Sequence, residues 1–186
     1  MHLSRKACAK TLDKSFDCSI LTIDNHHRQE FCNMLSERSE IEHPIVRRDK
    51  EGLTLEILDG RLTFKVLSEE TGGAYAMIEQ VVPPGVGPPL HVHHRETEIF
   101  YVVAGTFDLQ CGSEMHRLDA GSLFVGPRDI PHRFENVGDT PGRLLLTVYP
   151  GNFANFFREV AEIPTDDEQR MIDLLEKYDV ELVDNE

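Results

Sequence analysis

Four residues in the middle of the chain have types and spacing suited to metal binding. They are His91, His93, Glu98 and His132. If the stretch HVH is extended, residues two apart point to the same face, so His91 and His93 share a side. Three imidazoles and one carboxylate form an N3O ligand set. Such a set suits a divalent first-row metal and leaves coordination positions open for water or substrate.

Short β-strands are predicted around these residues. From Leu53 to Tyr149 the sequence consists of short apolar or alternating runs, separated by glycine, proline and aspartate. Asp59-Gly60 stands between two such runs and predicts a hairpin. Strands at this short, regular spacing are typical of an all-β sandwich or barrel.

The segment after Pro150-Gly151 has helical periodicity instead. One predicted helix has Asn152 as its N-cap and an apolar face, and a second opens with Thr165 and Glu168 in a capping-box arrangement. The apolar face consists of Phe153, Phe156, Phe157, Val160 and Ala161. We therefore predict an N-terminal extension or dimer arm over 1–50, a β-barrel over 51–150 and a helical segment over 151–186.

Composition and charge restrict the partners. Of the 186 residues, 40% are hydrophobic and 28% charged, as in ordinary globular proteins, and the net charge is −14. From Glu159 onwards there are 11 acidic residues against Arg170 and Lys177. Nucleic acid and anionic membranes are therefore not expected partners.

Location is also inferred from the sequence. No apolar run reaches the roughly 18 residues that a membrane span needs, and the first residues lack the apolar core of a secretory signal. The four cysteines show no metal-binding or paired spacing and are expected to be reduced thiols: Cys8, Cys18, Cys32 and Cys111. We expect a cytoplasmic protein.

The spacing of the four candidate ligands resembles the two sequence motifs of the cupin superfamily. The first motif corresponds to Gly85, His91-x-His93, Glu98 and Gly105, and the second to Gly121, Pro127, His132 and Asn136. One position departs from the family pattern, since Asp129 stands where glycine is usual. The longer stretch is similar to small one-domain bacterial cupins that are often described as quercetin (flavonol) dioxygenase-like.

This resemblance implies a fold, a ligand set and a reaction. The fold would be the cupin double-stranded β-helix, a jelly-roll barrel, with an N-terminal extension and two C-terminal helices. The metal ligands would be His91, His93, Glu98 and His132. The reaction would be oxygenation of an enol- or flavonol-like small organic substrate by dioxygen, with Glu98 as both ligand and base. The family's tendency to pair through N-terminal strands implies a homodimer.

Two other functions remain open from the sequence. The same metal site could act as a Lewis acid in an isomerase, lyase or cyclase, or the barrel could be a non-catalytic small-molecule binder. The metal, one per chain, is Fe, Mn, Ni, Co, Cu or Zn, and the sequence does not distinguish among them.

Further residues are assigned by strand alternation. The predicted pocket residues are Phe100, Phe124, Met77, Leu146 and Tyr75. Glu96 is on the same side as Glu98 if the strand has already begun, but we interpret it as a solvated loop residue. His94 points away from the ligand pair and is assigned to the surroundings of the site or to solvent.

Overall fold

Alternation of buried and exposed side chains defines the strands of this protein. The computed structural model describes residues 41, 43–57 and 60–183. In the strand Ala76–Val82 every second residue, beginning with Ala76, is buried. In Gly142–Tyr149 the same alternation begins with Gly142. This is the pattern of antiparallel sheets with one face in a core.

Eleven strands in the described residues form two antiparallel sheets. The strands are β1 Leu53–Ile57, β2 Gly60–Val66, β3 Ala76–Val82, β4 His91–His93, β5 Thr97–Ala104, β6 Thr106–Cys111, β7 Glu114–Asp119, β8 Leu123–Gly126, β9 His132–Asn136, β10 Gly142–Tyr149 and β11 Val180–Leu182. The larger sheet has the order β1-β2-β3-β10-β5-β8, and the smaller has the order β11-β4-β9-β6-β7. The predicted all-β architecture is confirmed.

The predicted β1–β2 hairpin is present. The two strands pair antiparallel, and Ile57 is opposite Gly60 at the end of the ladder. Asp59, the other residue of the predicted turn, lies outside the described residues. The glycines of the sequence motifs also terminate strands, and Gly105 and Gly121 do so with φ of 92° and 94°. A residue with a Cβ rarely adopts such angles.

Two groups of buried apolar residues make up the core. One group lies where β2, β3 and the C-terminal segment meet and includes Phe64, Ile78, Phe153 and Phe156. The other lies between the two sheets and includes Phe100, Phe107, Phe134, Leu144 and Leu146. Burial of this many large side chains is the main stabilising contribution to the fold.

Two α-helices follow the last strand of the larger sheet, as predicted: α1 Ala154–Val160 and α2 Glu168–Lys177. The predicted caps were wrong. Asn152 lies in a short 3-10 helix, and its Oδ1 accepts a hydrogen bond from Ser68 Oγ at 2.9 Å instead of capping α1. The N-cap of α2 is Asp167, whose carboxylate accepts the N–H of Arg170 at 3.1 Å. Thr165 lies two residues before this N-cap.

The C-terminal segment is not only helical, in contrast to the prediction for 151–186. Its residues Val180–Leu182 form β11, which pairs antiparallel with β4. In this register Val180 is opposite His93 and Leu182 is opposite His91. The C-terminal segment therefore supports the strand that carries two of the candidate ligands.

Little of the predicted N-terminal extension falls within the described residues. Residues 41 and 43–50 are described, and Arg47 donates to Glu70 Oε1 at 2.6 Å. Cys8, Cys18 and Cys32 lie outside the described residues, whereas Cys111 is a free thiol. None of the helices in residues 43–57 and 60–183 is long and apolar enough to cross a membrane.

Candidate metal centre

Three strands bring the four candidate ligands together. His91 and His93 are the ends of β4, Glu98 is on β5, and His132 is the first residue of β9. His91 and His132 are directly opposite each other where β4 and β9 pair. One ligand atom from each of the four residues lies within 4.8 Å of all the others. Ligands at about 2.1 Å from a shared metal are at most about 4.2 Å apart, so a small contraction would complete a coordination sphere.

Backbone carbonyls orient two of the imidazoles. Nδ1 of His91 is 2.8 Å from the Pro89 carbonyl oxygen, and Nδ1 of His132 is 3.0 Å from the Ile130 carbonyl oxygen. A carbonyl oxygen only accepts, so both Nδ1 atoms carry the proton and donate it. Each Nε2 is therefore left with a free lone pair. Metal-ligating histidines are held in this way in many proteins.

In the described part of the chain, the free Nε2 lone pair of His132 faces a carboxylate oxygen and not a hydrogen-bond donor. Nε2 of His132 is 3.2 Å from Oε2 of Glu98, and Nε2 of His93 is 3.5 Å from the same oxygen. A neutral Nε2 and a carboxylate oxygen are both acceptors, so they repel unless a proton or a cation lies between them. The donor set and its orientation therefore fit a divalent transition metal.

Glu96 is also buried at this site, which corrects its assignment as a solvated loop residue. It is 6% exposed, and its Oε2 is 3.7 Å from Nδ1 of His93. Neither atom has a hydrogen-bond partner among the described residues. The chain turns inward just before β5 begins at Thr97, so Glu96 continues the inward face of Glu98.

Burial and charge shift the pKa values of the cluster in opposite directions. Burial lowers the pKa of His91 to about 4. Burial also opposes the charged form of His93, but the carboxylates of Glu98 and Glu96 outweigh it and raise the pKa of His93 to about 9. Burial would raise the pKa of Glu98, yet His93 and His132 hold it well below its usual range. Glu98 is thus ionised and a weak base.

Two further positions shape the site. Gly126 pairs with Glu98 across β5 and β8, and a Cβ there would lie 3.2 Å from Nε2 of His132. Glycine therefore leaves room for the imidazole. Asp129 has a φ of 64°, and its N–H donates to the His93 carbonyl at 2.8 Å. The family's usual glycine suits this left-handed turn, and aspartate is among the residues that tolerate it.

His94 points out of the site, as strand alternation predicts. It is exposed, and its two ring nitrogens lie 2.9 Å from Asp129 and 3.3 Å from Glu181. The side-chain hydrogen bonds with Asp129 and Glu181 raise the pKa of His94. This histidine links the turn after β8 to β11 and is not part of the cluster.

A cavity of about 340 Å³ opens onto the cluster, and His91, His93 and Glu98 form part of its wall. This volume is within the usual range for small-molecule sites. The rest of the wall is mainly apolar. It includes Phe100, Phe134, Phe153, Phe156, Phe157, Val160, Met171, Leu175, Val180 and Leu182.

Of the five predicted pocket residues, Phe100 lies in the wall of this cavity, and the other four do not. Leu146 is buried in the core, and Phe124 packs on the ring of Phe100 with the centroids 6.0 Å apart. Met77 on β3 and Tyr75 just before it point away from the cavity. They alternate with the inward side chains, which are those of Ala76, Ile78, Gln80 and Val82.

The sequence analysis did not predict that the C-terminal segment contributes to this site. Phe153 touches the His93 ring edge-to-face, with the ring centroids 4.5 Å apart, and it stacks on Phe156 at 5.1 Å. The predicted apolar face of α1 is real, but part of it lines the cavity. The contact between β11 and β4 gave no local sequence signal.

Comparison with known proteins gives a match to one family over part of the chain. The sequence-family model of the cupin domain matches residues 78–149. This range contains all four residues of the cluster. This part of the chain is similar to the cupin domain in sequence. The predicted double-stranded β-helix is thereby confirmed, and the fold comparison agrees. KdgF from Halomonas sp. superposes with a TM-score of 0.55 at 18% identity, covering 61% of this chain and 99% of KdgF. At this identity the likeness shows the fold alone.

Two curated relatives are similar to part of this chain in sequence. Protein SchB from Streptomyces halstedii is 36% identical over 87 residues, which are 46% of this chain and 63% of SchB. Polyketide synthase CurC from Streptomyces cyaneus is 33% identical over 70 residues, which are 38% of this chain and 46% of CurC. This chain thus spans less than two thirds of the length of either relative.

Proposed function

We propose that this cupin domain is a metal-dependent enzyme that oxygenates an enol-bearing, largely apolar small organic molecule. One observation carries the proposal: the oriented Nε2 atoms and the Glu98 carboxylate converge at the wall of an apolar cavity. His91, His93, Glu98 and His132 would hold one divalent transition metal. When bound, that ion would supply open coordination positions for a substrate oxygen and for dioxygen.

The protein's own groups would bind and orient the substrate. The cavity wall contains no lysine or arginine among the described residues, so an anionic substrate such as a sugar phosphate has no partner there. Phe153, Phe156 and Phe157 present aromatic surface to a flat ring system. The polar edge of that ring system would face the His91–His93 side of the cavity.

Glu98 can also accept the enol proton, with one restriction. Its pKa is held below the usual range, so it is a weak base towards an ordinary hydroxyl. A hydroxyl next to a divalent cation has a lowered pKa, and only such a group can transfer its proton to Oε2 of Glu98. The base role that the sequence resemblance implies therefore depends on an occupied metal site.

A second candidate function is supported by a different observation. The relative CurC is named as a polyketide synthase. A polyketide-like enol or carbonyl compound could be cyclised or isomerised at the same site without dioxygen, with the metal acting as a Lewis acid. The apolar wall and the enol-binding edge would serve this reaction equally well.

Oxygen consumption separates the two functions. Protein reconstituted separately with iron, manganese, nickel, cobalt and copper would be incubated with flavonols and 1,3-diketones, and oxygen uptake and products would be measured. The oxygenase proposal predicts uptake in proportion to product with at least one metal and loss of uptake in His93→Ala. Turnover under anaerobic conditions would favour the cyclase or isomerase. Binding without turnover would favour a non-catalytic binder.

A further inference from the structure

Gln80 is a polar residue on an otherwise apolar part of the cavity wall. It lies on β3, its side chain points inward and is 7% exposed, and it lines the cavity. Across the ladder it is opposite Leu62 on β2 and Leu144 on β10, both buried. None of the side-chain hydrogen bonds among the described residues involves its amide.

Among the described residues, the fully buried side-chain atoms without a hydrogen-bond partner belong to His93 and Glu96, so the Gln80 amide is open to the cavity and not sealed in the core. An apolar side chain would fit at this position, because the neighbours of Gln80 on the adjacent strands are Leu62 and Leu144. Gln80 nevertheless occupies the inward position between Ile78 and Val82, which belong to the two different groups of the core. An amide facing the cavity at this point is suited to a ligand that supplies its hydrogen bond.

Gln80 is also separate from the metal cluster. Within the described residues, the polar side chains of the wall are those of Gln80 and of His91, His93 and Glu98. Ala76 and Glu98 both lie opposite Val148, and Gln80 is four residues further along β3. The backbones of Glu98 and Gln80 are thus about 10 Å apart across two strand spacings and about 13 Å apart along the strands.

We infer that Gln80 binds the far end of the substrate and determines which substrates are accepted. The inference rests on the proposed function and narrows it. The substrate class is a flat, apolar molecule of two or three rings with a hydroxyl–carbonyl edge for the metal. It carries a second hydroxyl or carbonyl group at the opposite end, which exchanges a hydrogen bond with the Gln80 amide.

Paired probes test this role. Protein loaded with zinc, which is redox-inert, would be titrated calorimetrically with 3-hydroxyflavone and with derivatives that carry one extra hydroxyl at the end remote from the chelating edge. The same titrations would use Gln80→Leu and Gln80→Met, which keep the side-chain volume. Gln110→Leu is the matched control, because the Gln110 amide is not in the cavity wall and accepts from Arg133 at 2.9 Å.

The wild type and Gln110→Leu are expected to bind at least one extra-hydroxyl derivative about tenfold more tightly than 3-hydroxyflavone, in line with one buried hydrogen bond. Both Gln80 variants are expected to lose this preference but keep their zinc and their affinity for 3-hydroxyflavone. An unchanged preference in both Gln80 variants would overturn the inference about Gln80 and leave the proposed function standing. If zinc-loaded wild type binds no probe better than zinc-free protein, the proposed function fails and the inference falls with it.

Discussion

Oε2 of Glu96 lies 3.7 Å from Nδ1 of His93, and both atoms are buried without a hydrogen-bond partner in the described part of the chain. The distance is slightly too long for a hydrogen bond, and a shift of under 1 Å would close it. The closed bond would fix the proton on Nδ1 and leave Nε2 for the metal. Pro89 and Ile130 already do this for His91 and His132.

Replacing Glu96 is therefore expected to weaken metal binding without removing a ligand. Loss of such a supporting carboxylate typically costs about 10–100-fold in metal affinity. We expect this loss for Glu96→Ala and a smaller one for Glu96→Gln, whose amide oxygen still accepts from Nδ1. Competition titration of zinc against a chromophoric chelator measures the loss of metal affinity in each variant. The exposed Glu114→Gln is the control, and equal affinities in Glu96→Ala and this control would contradict the role.

Metal affinity is expected to rise with pH. In the metal-free site the pKa of His93 is about 9, so His93 carries a proton at neutral pH that a metal must displace. His91, with a pKa of about 4, and Glu98, with a lowered pKa, have no proton to release there. The apparent affinity should therefore increase about tenfold per pH unit between about pH 6 and pH 8, and level off above pH 9.

Calorimetry in buffers of different ionisation enthalpy gives the number of protons released. We expect close to one proton at pH 7 in the wild type and in His94→Ala, since His94 is exposed and outside the cluster. An affinity that does not change with pH would show that His93 is neutral before the metal arrives.

The C-terminal segment is expected to be part of the core. Phe153 is 3% exposed and contacts the rings of His93, Phe156, Phe157 and Tyr178. Phe153→Ala should lower the free energy of unfolding by about 3–5 kcal/mol. The control Tyr101→Ala, on a residue that is 42% exposed, should cost less than about 1 kcal/mol. Denaturant titration compares them, and similar losses would mean that the segment packs only loosely.

The cluster of four candidate ligands could be predicted from the sequence because it depends on local spacing. His91 and His93 share a face wherever the stretch is extended, and the motif spacing supplied Glu98 and His132. The direction of the side chains on β3 could also be predicted, because the charged residue Glu79 marks the outward face. Glu79 is ion-paired with Arg143 at 2.6 Å on the outer face, so Met77, two residues before it, must point outward as well.

Long-range contacts could not be predicted. The pairing of β11 with β4 joins residues almost 90 positions apart, and a three-residue strand has too little periodicity to be recognised. The burial of Glu96 depends on a turn between β4 and β5 whose direction the sequence does not reveal. Strand alternation predicted that the side chain of His94 points outward, but it could not predict the contact of His94 with Glu181.

Dimerisation stays a prediction and can be tested by truncation. Removing residues 1–40 retains Arg47 and its bond with Glu70, so the described barrel should keep its contacts. If the N-terminal extension joins two copies, the full chain should have the mass of a dimer in light scattering and the truncated chain that of a monomer. Equal masses for the two chains would exclude this part of the chain from assembly.

The metal content of purified protein tests the central claim most directly. Elemental analysis would be made on untagged protein prepared without chelators, alongside His93→Ala and the exposed His116→Ala, which bonds Glu114. The wild type and His116→Ala should contain close to one equivalent of a transition metal per chain, and His93→Ala should contain almost none. A wild type that stays metal-free after reconstitution, or a His93→Ala variant that keeps a full equivalent, would contradict the assignment of His91, His93, Glu98 and His132 as a metal site.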